Sequence, residues 1–69
     1  MIFEIEIEQE EDGRWIAEIP DLPGVMQYGQ TAEQATAKAQ ALALRIIAER
    51  IESGKVQFSE FANITFNAA

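Results

Sequence analysis

Carboxylates are the reactive groups this chain has in greatest supply, and their spacing limits what they can do. Glu4, Glu6 and Glu8 alternate with Phe3, Ile5 and Ile7, so an extended strand puts three acids on one face at intervals of roughly 7 Å. Acids on the first strand, the helix and the last strand of a small sheet can in principle converge on a divalent cation and activate water. A straight row along one strand is instead the pattern of a solvated surface, and Arg14 is the only base nearby to clamp a transition state. With no His and no Cys, imidazole and thiolate ligands, thiol nucleophiles, disulfides and every Ser-His or Cys-His mechanism are excluded. The aliphatic hydroxyls Ser53, Ser59, Thr31, Thr36 and Thr65 lie outside any nucleophile-elbow context, and the four glycines lack the spacing of a phosphate loop. A non-enzymatic protein with no metal and no cofactor is the expectation. Trp15 and Tyr28 suggest a ligand-stacking pair, although a Trp on the inward face of a hairpin is more simply a core anchor.

The placement of charge points to a class of partner. Residues 1–21 hold eight acids and one base, whereas residues 22–69 hold four of each, so the whole net charge of −7 belongs to the first third of the chain. Such a segment repels phosphates and attracts basic surfaces, so direct nucleic-acid binding is not expected. Lys38, Arg45 and Arg50 are interleaved with Glu49 and Glu52 rather than gathered in a stripe. No apolar run approaches the ~18 residues of a membrane span, and Met1-Ile2-Phe3-Glu4 does not begin a signal peptide. A cytoplasmic protein without membrane contact is expected.

The elements that must position these acids are legible in the periodicity. Alternation over Phe3–Glu8 and again over Arg14–Ile19, with Glu11-Asp12-Gly13 between, predicts a β-hairpin in which Ile7 faces Ala17, Glu6 faces Glu18 and Glu10 faces Arg14. The segment Pro20 to Gly24 ends the second strand, and a third runs from Val25 to Tyr28. Thr31 has the marks of a helix N-cap, with Gln34 as reciprocal partner and Glu33 in the first turn. The helix should reach about Ser53, with Gly54 at C′. Ala35, Ala39, Leu42, Ala43 and Ile46 form its core stripe. A second stripe of Ala41, Leu44 and Ala48 is displaced around the cylinder. A fourth strand is expected within 56–66, parallel to the first, giving β-β-β-α-β in one α+β domain over residues 1–69 with the helix on one sheet face. A chain of 69 residues supplies only a marginal core. Leu44, Ala48 and Ile51 are therefore the candidate interface of a homodimer or higher oligomer.

One stretch carries more than periodicity. Ile19-Pro20-Asp21-Leu22-Pro23-Gly24-Val25, followed by Gly29-Gln30-Thr31-Ala32-Glu33-Gln34-Ala35, resembles the P-D-L-P-G-C and G-D-T-x-E-E-A signature of the HicB-type antitoxins, a family that includes stand-alone HicB-like domains. The likeness covers about residues 1–54 and rests on structural positions: Pro20, Asp21, Leu22, Pro23 and Gly24 in the turn, Gly29 at the next turn and Thr31 at the cap. Val25, Gln30 and Gln34 depart from the Cys, Asp and Glu common in the family. The resemblance implies a partial RNase H-like domain without nuclease carboxylates. Its implied partner is a small basic toxin of the HicA type, an mRNA-cleaving ribonuclease that the domain neutralises. It also implies that an accompanying helix-turn-helix or ribbon-helix-helix domain is often present, and no such DNA-binding domain is expected in these 69 residues. Glu4, Glu6, Glu8, Glu10 and Glu18 are then the candidate partner-binding residues. The alternative is an orphan HicB-like scaffold or small-ligand-binding protein whose oligomer is its functional form.

Overall fold

Strand alternation, a turn rich in proline and a capped alanine-rich segment generate five elements. A computed structural model describes residues 1–54 and 61–68. It contains β1 (Ile2–Gln9), β2 (Trp15–Glu18), β3 (Met26–Gly29), α1 (Ala32–Glu52) and β4 (Thr65–Ala68). The strands form one sheet in the order β3-β2-β1-β4. β1 pairs antiparallel with β2, β2 antiparallel with β3, and β1 parallel with β4. The arrangement is α+β, as expected from the periodicity.

The hairpin has the expected register, with Glu6 opposite Glu18 and Ile7 opposite Ala17. Its loop closes where Glu10 N–H donates to Arg14 C=O at 2.7 Å and Gly13 N–H donates to Glu10 C=O at 3.0 Å. Gly13 has a φ of 92°, a left-handed conformation that costs any side-chain-bearing residue about 1–2 kcal/mol. Beyond β2, Ile19 N–H donates to Val25 C=O at 3.1 Å, and Leu22 N–H donates back to Ile19 C=O at 3.0 Å. This turn buries Leu22 and Val25 while Pro20, Asp21, Pro23 and Gly24 stay on the surface. β1, β2 and β3 each differ from their expected bounds by one residue at either end. β1 gains Ile2 and Gln9, β2 loses Arg14 and Ile19, and β3 is shifted to Met26–Gly29.

α1 starts at the expected cap, where Thr31 Oγ1 accepts from Gln34 N–H at 3.0 Å. The reciprocal bond differs: Gln34 Oε1 accepts from Gln30 N–H at 2.7 Å, one residue before the cap rather than at it. The buried line of the helix is Ala35, Ala39, Ala43 and Ile47. Leu42 and Ile46, expected in the core stripe, are half-buried on its flank, and Ile47 takes the core position. The contact line follows strict four-residue spacing because the helix crosses the sheet on alanines, which leaves the bulkier Leu42 and Ile46 to cover the margin.

The fourth strand lies further along the chain than expected. Only Thr65 and Phe66 of the 56–66 segment belong to β4, and residues 55–60 lie outside the described residues. Parallel pairing begins where Thr65 N–H donates to Met1 C=O at 2.9 Å, just after the Met1 ammonium donates to Asn63 C=O at 2.6 Å. Phe66 then faces Phe3 in register, their rings stacked with centroids 5.9 Å apart. Phe61 and Ile64 pack against the core without joining the strand.

The core lies between one sheet face and α1, and its large fully buried side chains are Ile5, Ile19, Leu22 and Val25. No helix among the described residues is long and apolar enough to cross a membrane. Among the glycine positions, the helix approaches the sheet most closely at Gly29. Its role differs from the turn expected there, because its φ is not positive and its neighbour is the helix backbone. A Cβ at Gly29 would stand 2.5 Å from Ala35 N and 3.0 Å from Ala35 Cα. Backbone cannot rotate aside as a side chain can, so the whole helix would have to move. Gly29→Ala should therefore cost about 2–3 kcal/mol, within the overpacking range, measured as a lower urea midpoint at unchanged m-value. A loss under about 0.5 kcal/mol would mean that helix and strand are not held at this separation.

Candidate functional site

Among the described residues the sheet has one covered face and one open face, and the register assigns every acid of β1 to the open one. Glu8, Ile16 and Tyr28 lie side by side across β1, β2 and β3, and Glu6, Glu18 and Met26 form the next row. Glu6, Glu8, Glu10 and Glu18 stand around Ile16 and Met26 in a shallow depression of about 280 Å³. Four of the five expected partner-binding acids are thus brought together. Glu4 is separate: it lies near β4, with Asn67 Nδ2 3.4 Å from its carboxylate oxygens.

Glu6 and Glu18 face each other directly, a like-charge pair that costs a few tenths of a kcal/mol when solvated and is relieved when a cation covers it. The one base in this region does not relieve it. Arg14 donates through Nε to Asp12 Oδ2 at 2.7 Å, and its guanidinium carbon lies 4.4 Å from the centroid of the Tyr28 ring. Its backbone N–H also donates to Asp12 Oδ1 at 3.0 Å. Arg14 is therefore held at the hairpin tip and the edge of β3, which leaves the four glutamates of the depression without an intramolecular cation among the described residues.

Two apolar members of the site, Ile16 and Met26, were missed in the sequence reading. The signal for Ile16 was present, since it is an isoleucine at an outward position of β2, where alternation calls for a polar residue. Met26 carries no such signal because β3 is too short to establish a phase. Trp15 and Tyr28 do not form a pair. Trp15 lies opposite Gly29 on the helix side, half-buried against the core, and Tyr28 lies opposite Ile16 on the open face. Among the described residues no three or more carboxylates are placed to hold a metal ion together.

The second candidate surface is on the other layer of the molecule. Leu44 is 49% exposed and Ile51 40% exposed, with Ala48 between them on the outer side of α1. This stripe and the acidic face are separated by the helix and the sheet, so one partner can occupy either without blocking the other.

Among the described residues the hairpin tip carries the one clear perturbation of acidity. The Arg14 backbone N–H, followed by its guanidinium, holds the Asp12 carboxyl below its ordinary value of 3.8. A carboxyl with a lowered folded pKa adds stability above its unfolded value and loses it as pH falls through the folded one. The contribution is therefore complete only well above 3.8 and is lost as pH falls through the lowered folded value. An NMR titration of Asp12 should give a midpoint below 3.8 that moves up in Arg14→Ala; equal midpoints in the two proteins would show that the contact does not persist in water. No family model, no curated protein and no solved structure matches this chain.

Proposed function

We propose that this chain is a non-enzymatic binding module of the HicB-like antitoxin kind, with a partial RNase H-like fold, which docks a small basic ribonuclease toxin of the HicA type on its open sheet face. The observation that supports this most is the depression itself: four glutamates around Ile16 and Met26, on a face that no element of the described chain covers. A surface that binds RNA is basic, so a carboxylate face competes for the same groups. The acids accelerate encounter and set orientation, while contact with Ile16 and Met26 slows dissociation. Neutralisation then consists of covering the surface that RNA would reach.

Co-purification of the tagged chain from its native cell, washed at low and then at high salt, should release a small basic RNA-cleaving protein in stoichiometric amount. Glu6→Lys with Glu8→Lys should slow association at least about tenfold and flatten its salt dependence, while Glu4→Lys alone changes little because Glu4 lies outside the depression. An unchanged association rate in the double variant would remove the electrostatic basis of the proposal, and recovery of the chain alone would remove the toxin.

A second function is favoured by the exposure of Leu44 and Ile51: an orphan scaffold, or a small-ligand-binding protein, whose homo-oligomer assembles through the outer stripe of α1. Leu44→Glu should then convert the oligomer to a monomer in sedimentation without loss of helix content. An oligomer that survives the change would exclude this stripe as the interface.

A further inference from the structure

β1 is eight residues long and β4 is four, so β4 pairs with only the first half of β1, Ile2–Ile5. Among the described residues, Glu6–Gln9 have a strand neighbour on the β2 side alone. Hydrogen-bond alternation identifies which backbone groups face the empty side. Glu10 N–H donates to Arg14 C=O, so Glu8 with Ile16 and Glu6 with Glu18 are the next hydrogen-bonded pairs, and Ile7 and Gln9 direct their N–H and C=O away from β2. Odd-numbered residues face β4 in the paired half as well, where Met1 C=O accepts from Thr65 N–H at 2.9 Å. Among the described residues, Ile7 and Gln9 thus present two donors and two acceptors along a lane on the side of β1 away from β2.

The two sides of this lane differ in chemistry. Toward the helix it opens on a groove of about 340 Å³ between Ile7, Ala68 and the α1 residues Ala32, Thr36, Ala37 and Gln40. Thr36 adds little polarity, because its hydroxyl donates to Ala32 C=O at 2.8 Å. Toward the open face the lane runs beside Glu6 and Glu8, and Glu33 lies at the groove. An added strand places alternate side chains on these two sides, about 4.5–5.5 Å from their cross-strand neighbours.

We infer that the Glu6–Gln9 edge of β1 accepts an extended segment of a partner protein, in which Lys or Arg alternates with apolar residues. Main-chain hydrogen bonds to Ile7 and Gln9 hold the segment, its apolar residues enter the groove under α1, and its basic residues lie against Glu6 and Glu8. Charge selects against a second copy as occupant, since β1 of another molecule would set a row of glutamates against this row. The inference rests on the strand edge and holds whether or not the partner is a toxin.

The test uses the isotopically labelled full chain and a blocked six-residue peptide alternating Lys and Val. In the free protein, amide exchange at Ile7 and Gln9 should be at least about tenfold faster than at Glu6 and Glu8, which are bonded to β2. The peptide should slow exchange at Ile7 and Gln9 and shift the amide signals of Ala32 and Ala37. An alternating Glu-Val peptide, or the Lys-Val peptide N-methylated at alternate amides, should do neither. Ala37→Arg, at an exposed helical position where the fold tolerates a long side chain, should weaken binding several-fold by filling the groove. Three results would overturn the inference: equal protection of all four amides in the free protein, equal binding of the N-methylated peptide, or shifts confined to Ile16, Met26 and Tyr28. Protection at Ile7 and Gln9 that rises with protein concentration would assign the lane to a second copy instead and overturn it equally.

Discussion

The approach of α1 to β3 at Gly29 is the constraint on which the rest of the molecule depends. No Cβ fits between that strand residue and the backbone of Ala35, and the line continues through Ala39, Ala43 and Ala17, all fully buried. Small residues bring the helix close to the sheet along this line, Ile5, Ile19, Leu22, Val25 and Ile47 fill the rest of the core, and Leu42 and Ile46 cover its margin. Only Gln30 and Thr31 separate β3 from α1, so the cap at Thr31 and the Gln34 bond to Gln30 N–H set the direction in which the helix leaves the strand. A cap is worth about 1 kcal/mol. Its greater effect here is geometric, because two residues give the chain no other way to lay Ala35 on Gly29.

A helix that sits over β2 and β3 covers one face of a four-stranded sheet and, among the described residues, leaves two places unfinished. One is the opposite face; the other is the far edge of β1, where the helix flank and the end of β4 do not meet. Neither is neutral surface. The open face carries the acids of the hairpin, and Arg14, which could have offset them, is turned to Asp12 and Tyr28. Exposed carboxylates in water repel one another weakly, by about 1 kcal/mol or less per close pair, so the fold sustains them as long as Phe3, Ile5, Ala17 and Ile19 hold the other side of the same strands.

Strand alternation made the hairpin readable down to its register, because a one-residue slip would exchange Ile5 for Glu4 in the core. The helix start was readable for a similar reason, since Thr31 and Gln34 act locally. The phase of the helix was not. Ala35, Ala37, Ala39, Ala41, Ala43 and Ala48 give almost no contrast between sides, and the choice between Ile46 and Ile47 depends on a contact with Gly29 that no local pattern contains. β4 was misplaced because a four-residue strand with a single aromatic, Phe66, cannot show a period; it is defined by pairing with Met1 to Ile5 at the other end of the chain. Within the candidate site the acids were legible and the apolar centre only in part. Ile16 breaks the alternation of its strand, whereas Met26 and the Arg14–Tyr28 stack become neighbours only through β2–β3 pairing.

The open face and the open edge meet on β1, so they do not act as independent surfaces. Glu6 and Glu8 point into the depression, while Ile7 and Gln9, between and beside them, turn their backbone groups to the lane. An exposed strand edge is ordinarily a route to uncontrolled self-pairing, and charged side chains along it are one way in which proteins prevent this. Here the glutamates oppose pairing with another copy of the same acidic strand and favour a basic one, so the residues that keep the edge from self-association are also those that select its partner. β3, at the other border of the sheet, is protected differently: it is four residues long, with Arg14 stacked on its Tyr28. The asymmetry leaves β1 as the strand where backbone, apolar groove and negative charge occur together, and binding there draws on all three at once.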